Sequence, residues 1–163
     1  CLGRDRGTML RITKATDYGI ILLTTLAAEP ARMYNAAQLA LEAGIPMPMA
    51  SKILKRLARG HLLASQRGAK GGYVLTRHPR EITVAEIIDA LEGPVALTEC
   101  IALGPGCCEQ EPACPTQTNW RRINVAIHDA LAGITLEEMR LPLPRGYHRD
   151  TAGDKGQDIP LYA

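Results

Sequence analysis

The sequence predicts a mainly α-helical fold with a small β-hairpin wing, a winged helix-turn-helix continued by a long helix. Three observations point there. Two short helical stretches meet across a tight turn around Gly44-Ile45-Pro46. A basic, glycine-rich hairpin follows, turning at Arg67-Gly68-Ala69-Lys70-Gly71-Gly72. Farther on, Trp120, Ile123, Ile127, Ala130, Leu131 and Ile134 recur three or four residues apart, as one apolar stripe.

Each element has its own signals. A first helix is expected from about Thr16 to Ala28, capped by Thr13 or Thr16 and ended by Glu29-Pro30. Its Ile20, Leu23 and Leu26-Ala27 fall at helical spacing. A second helix runs from about Ala36 to Ala43, with Asn35 as N-cap and Gly44 as stop. A third runs from about Pro48 to Arg59, since proline is tolerated in a first turn, and Gly60 closes it. Ile53, Leu54 and Leu57 form its buried side. Leu62–Gln66 and Tyr73–Thr76 read as the strands of the wing, with Tyr73 packed beneath it. Thr83-Val84-Ala85-Glu86 is a capping box that opens a helix to about Leu91, which Gly93-Pro94 breaks. A long helix is expected from Pro115 to about Ala132, and a second capping box, Thr135 to Glu138, starts one more short turn.

The 163 residues suit one domain with a modest appendage. With one Trp, five Tyr and no Phe, the core must be aliphatic. Met9 opens a plausible start, so residues 1–8, with Cys1, are expected to be an extraneous extension without a role. Residues 9–92 form the winged helix-turn-helix, 93–117 a cysteine loop, 118–141 the long helix with the short one after it. Residues 142–163, rich in Pro, Gly, Asp and Arg, form a flexible tail. No apolar run approaches the roughly 18 residues that span a membrane. The apolar stretch Ile20–Leu26 lies inside a patterned helix with no secretory cleavage site after it. A cytoplasmic protein with reduced thiols is expected. Enzyme chemistry is not indicated: no nucleophile–base pair, phosphate-binding fingerprint or carboxylate dyad stands out.

The net charge of +2 hides an asymmetry. Residues 51–80 carry eight Lys or Arg and no acid, whereas residues 81–163 carry six against thirteen acids. A charged run is ordinarily a hydrated face. Here it coincides with the second helix of a helix-turn-helix and its wing, the elements such domains lay on DNA. Lys55, Arg56 and Lys70 are therefore assigned to phosphates and Arg67 to the minor groove. Pro48, Met49, Ser51 and Lys52 lie at the end of the helix nearest base edges, where Met49 suits a thymine methyl. His61 and His78 are expected to be surface residues.

Four of the five cysteines fall between Cys100 and Cys114, among glycine, proline and acids. Such a stretch cannot build an apolar core, so a disulfide or a metal centre must hold it. Adjacent Cys107 and Cys108 diverge as vicinal side chains. The expected ligand set is therefore Cys100, Cys108 and Cys114, with Cys107 as substitute for Cys108. The spacings are open for a zinc knuckle and for the short runs of many iron–sulfur proteins, so spacing leaves the metal undecided. A small redox protein exchanging disulfides is the reading from another class. His128, inside the long helix, is expected to be packed or exposed and not a ligand.

Four ordered motifs carry a resemblance. They are Leu10 to Gly19, Arg67-Gly-Ala-Lys-Gly-Gly-Tyr73, Ile87-Ile-Asp-Ala-Leu-Glu-Gly93, and Cys108 with Cys114-Pro115 and Trp120. From Met9 to about Leu141 the chain resembles the IscR/NsrR-type (Rrf-two) family of bacterial winged-helix regulators, within it the regulators of the Suf iron–sulfur assembly system. The resemblance implies a homodimer on a partly palindromic DNA operator, with the long helix as dimerisation helix and no small-molecule substrate. It implies a transcriptional regulator, a repressor, governed by a 2Fe–2S or 4Fe–4S cluster and controlling cluster-assembly genes. The three ligating cysteines map to Cys100, Cys108 and Cys114. Where some members carry a histidine three residues after the last cysteine, this chain has Gln117, a poor iron ligand. Others use an acid near the start of the partner's first helix, a position held here by Asp17, which makes it the candidate fourth ligand across the dimer.

Overall fold

The computed structural model describes residues 12–68, 71–98, 101 and 114–141. Among them run α1 (Lys14–Ala28), α2 (Ala36–Glu42), α3 (Met47–Arg59), β1 (Leu63–Gln66), β2 (Gly72–Leu75), a 3-10 turn (Pro79–Glu81), α4 (Val84–Glu92), α5 (Gln117–Ala132) and α6 (Leu136–Arg140). The described residues are mainly helical with a two-stranded antiparallel hairpin, as expected.

Helix ends follow local chemistry. The Thr13 hydroxyl caps α1. Asn35, Thr83 and Thr135 each open a helix through a complete capping box, with Gln38, Glu86 and Glu138 as reciprocal partners. At the end of α2, Gly44 adopts φ +65°, and the N–H groups of Gly44 and Ile45 return to Leu41 and Ala40. This closure satisfies orphan carbonyls through a left-handed residue. Helix α3 ends in the same way one residue beyond the expected stop. Gly60 keeps φ −78°, while His61 takes the left-handed φ of 59°. The His61 and Leu62 N–H groups bond Ala58 and Leu57. Glycine at position 60 answers to space: a Cβ there would lie 2.5 Å from the Ala90 Cβ of α4.

The core is aliphatic. Leu22, Leu23, Ile53, Leu54, Leu57, Ile87 and Leu91 are fully buried where α1, α3 and α4 converge. Gly19 permits the closest approach, since a Cβ there would meet Leu91 Cδ1 at 2.3 Å. In the wing, β1 pairs with β2 from Leu63 opposite Leu75 to Gln66 opposite Gly72. Leu63 and Leu75 plug its base into the core. Tyr34 adds a bridge that no local pattern in residues 30–35 signals. Its N–H and carbonyl bond Tyr73 at 3.0 and 2.8 Å, so the α1–α2 connection serves as a third edge of the wing. Tyr34 is 2% exposed, and the Arg32 guanidinium lies over its ring at 4.4 Å. Tyr73 is half-buried against the same core.

The chain returns to this body after α5. The Val84 N–H bonds the Ile134 carbonyl at 2.9 Å, and the Leu136 N–H bonds Ile82 at 2.8 Å. Leu136 is fully buried, and α6 packs on α1. Helix α5 is different, for none of its residues is buried. Trp120, Ile123 and Val125 stand 41, 45 and 57% exposed on it. It touches α4, and the Asn124 side chain fixes its middle by bonding Val95 and Leu97. No helix among the described residues is long and apolar enough to cross a membrane.

Candidate nucleic-acid interface and cysteine site

The interface begins with the burial pattern of α3. Ala50, Ile53, Leu54 and Leu57 point inward. Pro48, Lys52, Lys55 and Arg59, at steps of four, three and four residues, form the opposite ridge and are all exposed. Met49 and Arg56 flank the ridge on one side, with Arg56 half-buried, and Ser51 lies half-buried on the other. No acid stands on this helix. Met47, absent from the expected contacts, belongs to the same turn because the helix starts one residue earlier than proline placement suggested. Pro48 occupies its second position, where a missing N–H costs no intrahelical bond.

In the wing, Arg67 is exposed beside Gly68, whose φ of +119° makes the turn. Lys70 lies outside the described residues. Arg77, part of the same basic block, is committed to the fold. It donates to the Glu86 carboxylate at 2.7 Å and to the Glu81 carbonyl at 3.0 Å. Burial alone raises the Glu86 carboxyl, but the Thr83 N–H and Arg77 outweigh it and hold it below the ordinary range. The free cationic surface is therefore narrower than the sequence block. His78 accepts from the Arg80 N–H through Nδ1 and caps the 3-10 turn.

The cysteine stretch lies mostly outside the described residues, including Cys100, Cys107 and Cys108. Its flanks are described. On the upstream side, the Asn124 amide accepts from the Leu97 N–H at 3.1 Å and donates to the Val95 carbonyl at 3.0 Å. On the downstream side, Cys114 is partly exposed just before α5, its Sγ 3.5 Å from Thr116 Oγ1. The bond from the Thr116 hydroxyl, with the backbone N–H groups of Thr116 and Gln117, holds the Cys114 thiol below its ordinary range. A thiolate-favouring cysteine at this place fits the donor chemistry of a thiolate-held cluster and equally that of zinc. His128 is exposed beside Asp129.

Asp17 is exposed on the first turn of α1. Its neighbour Thr16 is fully buried, and its hydroxyl donates to the Glu92 carboxylate at the end of α4. The same carboxylate oxygen accepts from the Thr13 N–H at 3.1 Å. The helix carrying Asp17 is thus tied to the residue from which the cysteine stretch departs. Among the described residues no three His, Cys, Asp or Glu side chains converge, so Asp17 and Cys114 of one chain are not joined there by a third such group.

Known proteins bear on this arrangement. The sequence model of the Rrf2 family, described as an iron-dependent transcriptional regulator, matches residues 12–140. The HTH-type transcriptional regulator IscR of Pectobacterium atrosepticum is 30% identical over 131 residues, 80% of this chain and 79% of that protein. Among solved structures, IscR of T. potens is 27% identical, with a TM-score of 0.59 over 82% of this chain and 88% of that one. CymR, titled the global cysteine regulator of B. subtilis, is 28% identical, with a TM-score of 0.62 over 81% and 97%. By the family match over residues 12–140 and these likenesses, the chain belongs to the Rrf2 family and is a DNA-binding transcriptional regulator, not an enzyme.

Proposed function

We propose that this regulator is a cytoplasmic homodimer that binds its operator through α3 and the wing, under control of an iron–sulfur cluster. The observation that carries the operator surface is the acid-free ridge Pro48, Lys52, Lys55 and Arg59, exposed along the whole of α3. Lys55 and Arg56 neutralise phosphates, as does Lys70, while Arg67 reaches from the wing. Trp120 and Ile123, neighbours on one exposed face of α5, supply the surface that a second copy covers.

Cys100, Cys108 and Cys114 hold the cluster, with Cys107 able to substitute for Cys108, and Asp17 of the partner subunit completes the set. Such a cluster, when bound, supplies a centre whose oxidation, nitrosylation or loss alters the bridge between subunits. The protein's own part is to favour the Cys114 thiolate and to anchor both flanks of the stretch. Genes of iron–sulfur assembly are the proposed targets, with repression as the mode.

The lowered Cys114 thiol also supports a second reading, in which the cysteines themselves exchange disulfides and the regulator senses oxidants without a metal. Anaerobic isolation separates the two. Iron with acid-labile sulfide, lost in Cys108→Ala with the helical content unchanged, supports the cluster. Stoichiometric zinc without iron overturns it, and a colourless metal-free dithiol protein establishes the second reading.

A further inference from the structure

The start of α3 has a composition that a phosphate-binding helix does not require. From Pro46 to Ala50 there is no polar side chain. Met47 and Met49 are nonetheless 43 and 38% exposed, and Pro48 between them is exposed as well. The Ser51 hydroxyl, the first polar group, donates to the Met47 sulfur at 3.8 Å. It is thus turned back onto the apolar tip. Helix α3 has no side-chain cap that would account for residues chosen to close its N-terminus. Beyond this tip the helix is cationic, through Lys52, Lys55 and Arg59.

An apolar tip continuous with a cationic ridge has one fitting occupant. The ridge fits the DNA backbone, and in such domains the N-terminal residues of the recognition helix meet base edges. The major groove presents four kinds of base edge, and only thymine offers an apolar group there, its C5 methyl. A guanine, adenine or cytosine edge opposite Met47 and Met49 would lose water from its donors and acceptors without replacement. We infer that Met47, Pro48 and Met49 form a methyl-reading tip that selects thymines in each operator half-site, leaving polar discrimination to Lys52. Met47 and Met49 sit on opposite sides of Pro48, at −100° and +100° about the helix axis, so they address neighbouring base steps rather than one. Thioethers suit the task, being long, flexible and polarisable against a methyl surface.

This inference rests on the operator-binding reading above. The test uses the full-length protein and a duplex selected by it from a random-sequence pool. Each thymine of the selected duplex is replaced singly by deoxyuridine, which removes the C5 methyl alone. At one or two positions per half-site the replacement weakens binding about fourfold, the value of one buried methyl group. The double variant Met47→Ala, Met49→Ala binds the thymine and deoxyuridine duplexes alike. Alanine is the stronger helix former at these exposed sites, so circular dichroism of the variant matches the parent. Lys55→Ala weakens both duplexes equally. Binding indifferent to every methyl, a selected site without thymine in that register, or methyl sensitivity that persists in the double variant overturns the inference and leaves the tip to a protein partner. Selection of no duplex at low salt would instead overturn operator binding itself.

Discussion

The Leu97 N–H donates to Asn124 Oδ1 at 3.1 Å, joining positions 27 residues apart on either side of the cysteine stretch. The same side chain donates to the Val95 carbonyl, so one amide holds the segment leading into the cysteine stretch against α5. Both bonds are half-buried, and removal leaves two backbone groups without that partner. Asn124→Leu is therefore expected to cost about 1–2 kcal/mol locally. The check is hydrogen exchange at the Leu97 amide, which speeds up roughly tenfold or more in the variant, while Leu54 and Leu57 exchange as before. Unchanged Leu97 exchange would remove Asn124 from this role.

Glu92 ties α4 to the start of α1 through Thr16 and Thr13. Burial alone raises its carboxyl, but the Thr16 hydroxyl bond, the two Thr13 bonds and Arg56 together hold it below the ordinary glutamate range. A depressed folded-state value stabilises the fold above the unfolded-state value and loses that contribution as pH falls through the folded one. Glu92→Ala is thus expected to be about 1–2 kcal/mol less stable at pH 7, because it orphans the buried Thr16 hydroxyl. The gap to the parent narrows below the ordinary glutamate range. Urea titrations from pH 7 to pH 3 measure it. Thr16→Val combined with Glu92→Ala recovers part of the loss, since donor and acceptor then vanish together.

His61 holds a left-handed φ of 59° at the closure of α3, with its carbonyl accepting from the Thr76 hydroxyl at 2.7 Å. A non-glycine residue there costs about 1 kcal/mol. His61→Gly removes that strain but adds freedom to the unfolded chain, so the net gain is at most about 0.5–1 kcal/mol. A thermal melt a few degrees higher agrees with this account, and a lower one would show that the imidazole contributes more than the strain costs.

Among the described residues Arg67 makes no ion pair, unlike Arg77, which Glu86 engages. Arg67→Ala should weaken operator binding and reduce the slope of log affinity against log salt by about one. Arg77→Ala should leave the slope nearly unchanged and lower stability instead. Measuring both slopes by fluorescence anisotropy checks the division between them.

Periodicity and caps made most of the fold legible. Thr83-Glu86 and Thr135-Glu138 announce their helices because a capping box is a local device, complete within four residues. What stayed hidden depends on residues far apart. Tyr34 joins the wing only because Tyr73 comes to lie beside it, and no period in residues 30–35 signals a bridge. Gly60 looks like the helix stop, yet Ala90, thirty residues on, explains it. Gln38 completing the Asn35 box was within reach of local reasoning. In the site, the basic ridge of α3 was readable from spacing, whereas the loss of Arg77 to Glu86 was not, since the acid belongs to another helix. Asn124 carries no motif, and the Ile87–Gly93 motif that contains Glu92 does not say that Thr13 and Thr16 will meet it. Each becomes informative only when the flanks of the cysteine stretch are seen packed on α5 and α1.

If cluster occupancy governs DNA binding, operator affinity differs between the loaded and stripped forms of one anaerobic preparation. Fluorescence anisotropy on the selected duplex is recorded for the cluster-loaded protein and again after the cluster is removed by a chelator and oxidant, with thiols re-reduced. A change of at least about tenfold between the two forms is expected, abolished in Cys108→Ala. Equal affinities for the loaded and stripped protein would contradict it.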